Sequence, residues 1–388
     1  ELSIRLLQAL GAATILLGVI CFFYPKAVIG QQIFLLSLML VVLLVGTWRY
    51  GYFSMLKQGL FNQKIILLGA GDMARSIYQE INNKRDCGYE IELVMKDCED
   101  ADFFRDRTGR RIPCVDSFEG LCETARDWNI QKIVVALQER RGNFPTKQLL
   151  NCRTDGIEIL DGNSFYEMLT GKLIVSQTYP GWFIYSDGFR KSDLGRFTKR
   201  FLDISLSLIL LIVLSPLIII VAILIKLDSK GPLIFSQDRV GRNRRSYKVH
   251  KFRSMVVDAE EDTGPVWATE NDTRVTRIGK VIRKLRIDEI PQLWNVLKGE
   301  MSFVGPRPER EYFVKELDKI IPYYSTRFSV KPGITGWAQI CYPYGASVED
   351  AVEKLNYDVF YIKNMSIFLD LMIVLRTIKI VLFQKGAR

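Results

Sequence analysis

The sequence predicts a membrane-associated α/β protein, and three observations support that fold class. Two apolar runs near the start, residues 7–24 and 31–46, are each close to the length of a membrane span. A glycine-rich turn then begins an alternation of strand-like and helix-like segments. A third apolar run, residues 204–225, carries Ser215 and Pro216 at its midpoint. We therefore expect N-terminal transmembrane helices, a Rossmann-like doubly wound α/β domain, and a mostly helical C-terminal domain with a broken membrane helix.

Residues 1–50 are predicted to form a transmembrane helical hairpin. A short loop containing Pro25 and Lys26 joins the two apolar runs. A cleaved signal peptide is disfavoured, because it would not need a second span. Cations follow the second run at Arg49 and Lys57, and the positive-inside rule therefore places the next domain in the cytoplasm.

Residues 62–175 are predicted to form the doubly wound domain. Lys64-Ile-Ile-Leu-Leu reads as a buried strand, and Gly69-Ala-Gly71-Asp-Met-Ala74 is a Gly-x-Gly-x-x-Ala turn before a helix. Strand-like and helical segments then alternate at 91–95, 117–128, 132–137, 146–153 and 157–160. The glycine turn is compatible with dinucleotide binding and at least equally with a tight turn kept for packing. We expect regulation, ligand sensing or contacts within a homodimer from this domain.

Residues 176–198 are predicted to be a linker, and residues 199–226 a broken membrane helix. Pro216 removes one helical hydrogen bond, and the Ser215 hydroxyl can satisfy a freed carbonyl. Cations flank the apolar run on both sides, which favours two cytoplasmic ends. A kinked spanning helix and a helix that returns to the same side of the membrane are equally compatible with these residues.

Several basic residues of the chain occur in or beside segments that are predicted to contact the membrane. The formal net charge is +10, from 53 Lys and Arg against 43 Asp and Glu, and no nucleic-acid motif occurs. Residues 276–286 are predicted to form a basic amphipathic helix, which would lie on anionic lipid, on the protein core, or partly on both. Charged residues interrupt the apolar segment 367–383, which we expect to be interfacial. The expected contacts are therefore with membrane lipids and not with nucleic acid.

The cysteines and the single histidine argue against two classes of site. The seven cysteines form no Cys-x-x-Cys pair and have no metal-ligand spacing with His250. This pattern is typical of reduced cytosolic thiols and disfavours a zinc site. His250 lies in a strand-like run and is expected to be structural, so a Ser-His-Asp hydrolase is disfavoured.

An acidic pair precedes a short helical pattern in the C-terminal half. Asp288 occupies the expected N-cap, Glu289 the first turn, and Gly299 the position where the helix ends. Taken alone, such a pair is most simply ordinary helix capping, which contributes about 1 kcal/mol.

Cations and prolines surround the acidic pair in the sequence. Arg283 precedes it, and Arg307 follows between Pro306 and Pro308. The prolines restrict the backbone, so that the guanidinium could be presented to a phosphate at reduced entropic cost. A surface turn is the simpler explanation of this run when it is considered alone.

An ordered series of motifs extends over nearly half of the chain. The motifs are Lys199-Arg200-x-x-Asp203, Ser215-Pro216, Lys226-Leu-Asp-Ser-x-Gly-Pro, Gln237-Asp-Arg-Val-Gly, Lys251-Phe-Arg-Ser-Met, Arg286-Ile-Asp-Glu-Ile-Pro-Gln-Leu, Asn295-Val-Leu-Lys-Gly-Glu-Met-Ser, Gly305-Pro-Arg-Pro-Glu and Lys331-Pro-Gly-Ile-Thr-Gly-Trp. From about residue 199 onward, this series closely resembles the bacterial sugar transferase family. These are the monotopic phosphoglycosyl transferases, which begin exopolysaccharide and O-antigen assembly.

The resemblance implies a reaction and a location. Residues 199–388 would be the catalytic domain, which transfers a sugar-1-phosphate from a UDP-sugar to polyprenyl (undecaprenyl) phosphate and releases UMP. It would face the cytoplasm at the bacterial inner membrane. The resemblance also implies that the Ser215-Pro216 helix is re-entrant. Large members of the family carry four N-terminal spans, so two further spans are expected besides the two found here.

The resemblance also implies roles for individual residues. Asp288 would attack the β-phosphorus of the donor and carry the phosphosugar, with Mg²⁺ bound at the same carboxylate. Glu289 would act as a base or would support the metal ligand without touching the metal. Family positions that bind phosphate match Lys251, Arg283 and Arg307 with its flanking prolines, and Arg253 is a candidate from the same block as Lys251.

Two other classes of function are also weighed. A non-catalytic membrane scaffold would keep its function after Asp288→Asn. A nucleotide-sugar oxidoreductase or epimerase would be suggested by Gly69 and Gly71, and such enzymes often need Tyr-x-x-x-Lys on a helix. Only Tyr247 and Lys251 have that spacing, in a strand-like run.

Overall fold

The computed structural model describes most of the chain and divides it into two units. The described residues are 31–57, 62–84, 87–95, 103–105, 109–137, 144–178, 180–189, 191–256, 274–343, 345 and 347–382. One unit ends at Leu160 and the second begins at Asp161. The predicted apolar run 7–24 lies outside the described residues.

The first unit contains a long helix and a five-stranded sheet. Helix α1 (Gln31–Lys57) carries the second predicted apolar run, and exposed apolar side chains such as Leu36 and Met39 line it. The sheet has the order β3-β2-β1-β4-β5, with parallel pairing of β1 to β2, β1 to β4 and β2 to β3. Its elements are β1 (Gln63–Leu68), α2 (Asp72–Asn83), β2 (Tyr89–Met95), β3 (Cys114–Val115), α3 (Leu121–Asp127), β4 (Lys132–Val135), α4 (Thr146–Thr154) and β5 (Glu158–Asp161). The predicted doubly wound fold is thus present, with one two-residue strand that the sequence did not reveal.

The glycine turn between β1 and α2 is fixed by packing. Gly69 has φ +104°, and a Cβ there would lie 2.8 Å from the carbonyl oxygen of Ala136. A side chain at this position would therefore be strained and would collide with the end of β4.

The cysteines of this unit correct one expectation. Cys122 on α3 and Cys152 on α4 form a disulfide, where free thiols were predicted. The two helices pack on the same apolar cluster beside β4, and this brings together cysteines that are 30 residues apart in sequence. Such a pairing depends on helix packing and not on a local motif.

The second unit is mostly helical, with two small sheets. Strands β6 (Ile234–Val240) and β7 (Ser246–Phe252) form an antiparallel hairpin, and β8 (Ser302–Val304) pairs in parallel with β9 (Gly333–Thr335). The helices are α5 (Gly162–Thr170), α6 (Pro180–Tyr185), α7 (Asp193–Val213), α8 (Ser215–Asp228), α9 (Arg277–Lys284), α10 (Gln292–Lys298), α11 (Glu311–Ile320), α12 (Trp337–Cys341), α13 (Val348–Asn364) and α14 (Ile367–Leu382).

The boundary between the units differs from the predicted one. Residues 161–175 belong to the second unit, because Glu167 on α5 pairs with Lys363 on α13 at 2.5 Å. The predicted linker 176–198 is also largely structured. Trp182 on α6 is buried in the apolar cluster that α11 and α13 share, and Phe183 and Phe189 pack against that cluster, so part of this segment belongs to the core.

The predicted break at Ser215 and Pro216 is confirmed as a bend. Helices α7 and α8 meet at 62°, Pro216 lies in the first turn of α8, and the Ser215 hydroxyl donates to the Ile212 carbonyl at 2.8 Å. Within the described residues, no helix meets the length and apolarity criteria for a membrane span by itself, whereas this bent pair meets them jointly.

The two other segments predicted to contact lipid are helical. On α9, Ile282 is buried against α8 while Val281 is 54% exposed, so the apolar stripe faces both the core and the outside. On α14, Ile373 is buried and Phe368 is 79% exposed. Both helices thus present apolar surface that the protein does not cover.

Candidate active site

The acidic pair lies in a tight turn between α9 and α10. Asp288 and Glu289 belong to a 3₁₀ turn, Ile287–Glu289, and both residues are only 8% exposed. Arg286, with φ +58°, turns the chain after α9. The predicted N-cap position of Asp288 is therefore wrong, because α10 begins only at Gln292, after this turn. The predicted helix end at Gly299 is confirmed, with φ +88°.

Two of the predicted phosphate-binding cations converge on Glu289. Lys251 Nζ, from β7, donates to Glu289 Oε1 at 2.9 Å. Arg307 Nη2, from the segment after β8, donates to the same oxygen at 2.7 Å. Two strands and the turn before α10 therefore bring together residues from three separate parts of the sequence.

The two carboxylates differ in electrostatic environment. Burial would raise the pKa of Glu289, but Arg307 and Lys251 outweigh it and hold this pKa far below its usual range. Burial raises the pKa of Asp288; Lys251 opposes this rise, and the neighbouring Glu289 charge adds to it. Glu289 is thus a fixed anion, whereas Asp288 is the carboxylate whose charge the site disfavours.

Asp288 differs from Glu289 in the contacts of its carboxylate. Among the residues that the structure describes, its carboxylate has no hydrogen bond and no ion pair, although Lys251, Arg307 and Arg283 are near enough to influence its pKa. Arg283 reaches this region from the last turn of α9. A buried, unengaged carboxylate beside cations has the features of a nucleophile toward a phosphorylated substrate.

Arg253 does not join this cluster. Its guanidinium is buried and donates to the Ser229 carbonyl at 2.6 Å, the Ser229 hydroxyl at 3.0 Å and the Lys230 carbonyl at 2.9 Å. Arg253 therefore fixes the end of α8, and these contacts do not support its predicted role in phosphate binding.

The backbone around Arg307 is held by two arginines that the sequence analysis did not select. Arg327 donates to the Arg307 carbonyl at 2.9 Å, and Arg239 donates to the Pro308 carbonyl at 3.2 Å. Pro306 accepts from the Gly333 amide at 2.9 Å. Arg239 lies in one of the recognised motifs, so it could have been found, whereas Arg327 has no motif of its own.

The residues present fit a magnesium ion that is held mainly by substrate. No group of three or more His, Cys, Asp or Glu side chains with metal-binding geometry occurs in the described part of the chain. Mg²⁺ in phosphate-binding enzymes usually takes one or two carboxylates, with water and phosphate oxygens as its other ligands. Asp288 can supply one such ligand, whereas Glu289 is engaged by Lys251 and Arg307.

The bent helix pair is tied directly to this region. Arg200 on α7 donates to the carbonyls of Val296 and Leu297, at the end of α10, at 2.6 and 2.7 Å. Asp203 accepts from the Ser302 hydroxyl at 3.0 Å and the Phe303 amide at 2.9 Å. The first motif of the ordered series therefore joins α7 to α10 and β8.

His250 and Tyr247 lie on strand β7, as their strand-like pattern predicted. His250 Nδ1 lies 2.9 Å from the Ser236 hydroxyl within the β6–β7 hairpin. Tyr247 and Lys251 both lie on β7, where four residues span about 13 Å, so they lack the helical spacing of an oxidoreductase pair.

Comparisons with known proteins identify two matching family models. The family model described as bacterial sugar transferase matches residues 194–384, and one described as CoA-binding domain matches residues 1–159.

Three relatives illustrate the extent of the similarity. The UDP-N-acetylgalactosamine-undecaprenyl-phosphate N-acetylgalactosaminephosphotransferase of Aeromonas hydrophila is 43% identical, over 62% of this chain and 56% of that protein. The undecaprenyl-phosphate glucose phosphotransferase of Komagataeibacter xylinus is 44% identical, over 50% of this chain and 38% of that protein. The UDP-glucose:undecaprenyl-phosphate glucose-1-phosphate transferase of Escherichia coli (strain K12) is 33% identical, over 82% of this chain and 68% of that protein.

The matched segment thus spans 56% and 38% of the first two relatives, and about two thirds of the third. The similarity to the third relative extends across both units of this chain. The chain belongs to the bacterial sugar transferase family.

Proposed function

We propose that this protein transfers a sugar-1-phosphate from a UDP-sugar to polyprenyl phosphate and releases UMP, as the first step of a surface polysaccharide. The observation that carries the proposal is Asp288, a buried and unengaged carboxylate with Lys251, Arg307 and Arg283 around it. The names of the relatives support the class of reaction, since each one transfers a sugar phosphate to undecaprenyl phosphate.

In the first step, an oxygen of Asp288 attacks the β-phosphorus of the donor. The bond from this phosphorus to the bridging oxygen breaks, and UMP leaves with the electron pair. In the second step, a phosphate oxygen of the lipid attacks the same phosphorus, and the Asp288 carboxylate leaves. Two steps allow one site to receive a water-soluble substrate and a membrane-held substrate in turn.

The surrounding side chains stabilise charge in both steps. Lys251, Arg283 and Arg307 would contact the phosphate oxygens, on which negative charge is concentrated. Pro306 and Pro308 restrict the backbone that presents Arg307, and Arg239 and Arg327 hold its carbonyl groups. Mg²⁺ held by Asp288 and substrate oxygens would neutralise diphosphate charge.

Glu289 would position the cations and would not accept a proton. Its carboxylate holds Lys251 and Arg307 with one oxygen, and its low pKa makes it a very weak base at neutral pH. We therefore favour support of the phosphate-binding side chains over the role of a base for Glu289.

The apolar surfaces support a position on the cytoplasmic face of the bacterial inner membrane. Helices α7 and α8 would enter one leaflet and return, while the exposed apolar faces of α9 and α14 would lie in the interface. A re-entrant pair leaves both of its own ends on the side where nucleotide sugars are made.

The test is UMP release from a panel of UDP-sugars with Mg²⁺ and polyprenyl phosphate, comparing wild type with Asp288→Asn. The expected result is release from one donor that requires Asp288, with formation of a covalent phosphosugar adduct when the lipid is omitted. Absence of release from every donor, in folded and membrane-embedded protein, would favour a non-catalytic scaffold instead.

A further inference from the structure

A second group of cations lies at the opposite end of α10 from Asp288. A Cβ placed on Gly299 would be 3.4 Å from Lys331 Nζ and 3.5 Å from Arg200 Nη2. Both cationic groups therefore approach the same small space beside the glycine that ends α10. The seven residues of α10 correspond to about 10 Å of helix, which separates this space from the acidic turn.

In the part of the chain that the structure describes, no carboxylate forms an ion pair with Lys331 or Arg200. Within the described residues, the Lys331 ammonium has no hydrogen-bond or ion-pair partner, although the side chain is half-buried. Lys199 is already paired with Asp370 at 2.7 Å, and Asp203 accepts from Ser302 and Phe303.

The electrostatic environment of Lys331 favours a bound anion. Burial lowers the pKa of Lys331, and the charge of Arg200 lowers it further. The Asp203 carboxylate opposes this shift, and Arg242 adds a smaller lowering effect. Arg242 is exposed on the turn between β6 and β7. Holding an unpaired ammonium near two guanidinium groups costs free energy, and a bound anion would offset that cost.

The position of Arg200 indicates where that anion would come from. Arg200 lies four residues before Ile204, where the apolar run of α7 begins, and four residues of helix rise about 6 Å. The headgroup layer on each side of a bilayer is about 5–7 Å thick. Phe197 and Phe201, on the same part of α7, are 69% and 63% exposed. When α7 and α8 are inserted, Arg200 and Lys331 therefore lie at the depth of lipid phosphates.

We propose that Lys331 and Arg200 bind the phosphate of an anionic membrane phospholipid, at a site separate from the one at Asp288. The inference rests on the membrane insertion proposed for α7 and α8, and it is independent of the transfer chemistry. The bound headgroup would stabilise the base of the re-entrant helix, where Arg200 already joins α7 to α10.

The test is binding of dihexanoyl phosphatidylglycerol to the full chain in detergent, measured by native mass spectrometry without donor or Mg²⁺. Wild type is compared with Lys331→Gln, Lys331→Arg and Lys298→Gln. Lys298 is an exposed cation on α10, near the Trp294 ring, and serves as the matched control for loss of one charge. Loss of one charge-assisted contact predicts about tenfold weaker binding for Lys331→Gln, and near wild-type binding for Lys331→Arg and Lys298→Gln.

Equal losses in Lys331→Gln and Lys298→Gln would mean a diffuse charge effect and would overturn the proposal, as would no loss in Lys331→Gln. Dihexanoyl phosphatidylcholine and inorganic phosphate separate the possible sources of the anion. Inorganic phosphate that binds as tightly as the anionic lipid, with the same dependence on Lys331, would overturn the lipid assignment.

UMP release by the same variants separates the two proposals and also checks folding. Lys331→Gln should release UMP like wild type when no lipid is present. Failure of wild type to release UMP would refute the proposed function and would leave the lipid result standing.

Discussion

Replacing Glu289 by glutamine tests how the candidate site is organised. The side chain keeps an oxygen at the position that Lys251 and Arg307 share, but loses its charge. Hydrogen bonds to charged groups contribute about 1.5–3 kcal/mol, and each remaining bond would have one charged partner instead of two. A loss of about 1 kcal/mol from each bond gives about 2 kcal/mol for the pair. Because about 1.4 kcal/mol is tenfold in rate, we expect UMP release to slow about thirtyfold.

The loss should appear in kcat. The two cations would be less well positioned on the transferring phosphate, whereas the site as a whole would gain net positive charge and would still attract the donor. We therefore expect the KM for the UDP-sugar not to rise. A raised KM with unchanged kcat would contradict the positioning role of Glu289.

The pH profile gives a second readout of the same variant. In the proposed mechanism Asp288 must be ionised to attack, and burial together with the Glu289 charge raises its pKa. In wild type, kcat/KM for UMP release should therefore fall, as the pH is lowered, at a higher pH than an ordinary aspartate would give. Removing the like charge in Glu289→Gln favours the ionised form of Asp288, so the acid limb should move to lower pH. A shift to higher pH would refute this reasoning.

The assay follows UMP release without polyprenyl phosphate, so that only the first step is measured. A base that deprotonates the lipid would be needed only in the second step, and its loss would leave UMP release unchanged. The matched control is Glu311→Gln, on α11, where an exposed carboxylate pairs with Lys315 and the expected change is negligible.

Three further predictions concern the scaffold. Gly69→Ala forces an alanine to φ +104° and should destabilise the α/β unit by about 1–3 kcal/mol. The expected measurement is faster hydrogen exchange in β1 and β4, and unchanged exchange would contradict the packing argument. Lys199→Met leaves the buried Asp370 without its cation and should lower the free energy of unfolding by about 3–5 kcal/mol. The thermal transition in detergent should then occur at a lower temperature, and an unaltered midpoint would show that the pair is dispensable. Arg253→Gln should lower thermal stability and change the donor KM by less than about twofold, and a larger rise in KM would restore the phosphate-binding role.

Local patterns in the sequence were sufficient to predict most of the α/β unit. The buried run at β1, the glycine turn and the later strands are each encoded within a few residues, and the structure has them in the expected order. The bend at Ser215 and Pro216 was predictable for the same reason, because proline acts on its own helix.

Features that depend on contacts distant in sequence were predicted less well. The assignment of residues 161–175 to the second unit depends on Glu167 meeting Lys363, nearly two hundred residues away. The pairing of Cys122 with Cys152 likewise depends on how two helices pack.

The candidate site also combines features that local motifs predicted with features that they did not. Motifs identified Asp288, Glu289, Lys251 and Arg307, and the structure places Glu289 in contact with both cations. The sequence could not show that Arg253 points to the end of α8, because a motif gives the order of residues and not the direction of a side chain.

The contact of Arg200 with the last carbonyls of α10 has a mechanical consequence. With α7 and α8 inserted as proposed, it would couple the height of the acidic turn to the leaflet surface through one short helix, and the re-entrant pair would not reach the opposite leaflet. Hydrophobic mismatch, which tilts spanning helices when bilayer thickness changes, would therefore act weakly on this half of the protein. Transfer rates should be similar in thin and thick bilayers of the same headgroup composition. The activity would then depend on the composition of the membrane surface and not on the thickness of the bilayer.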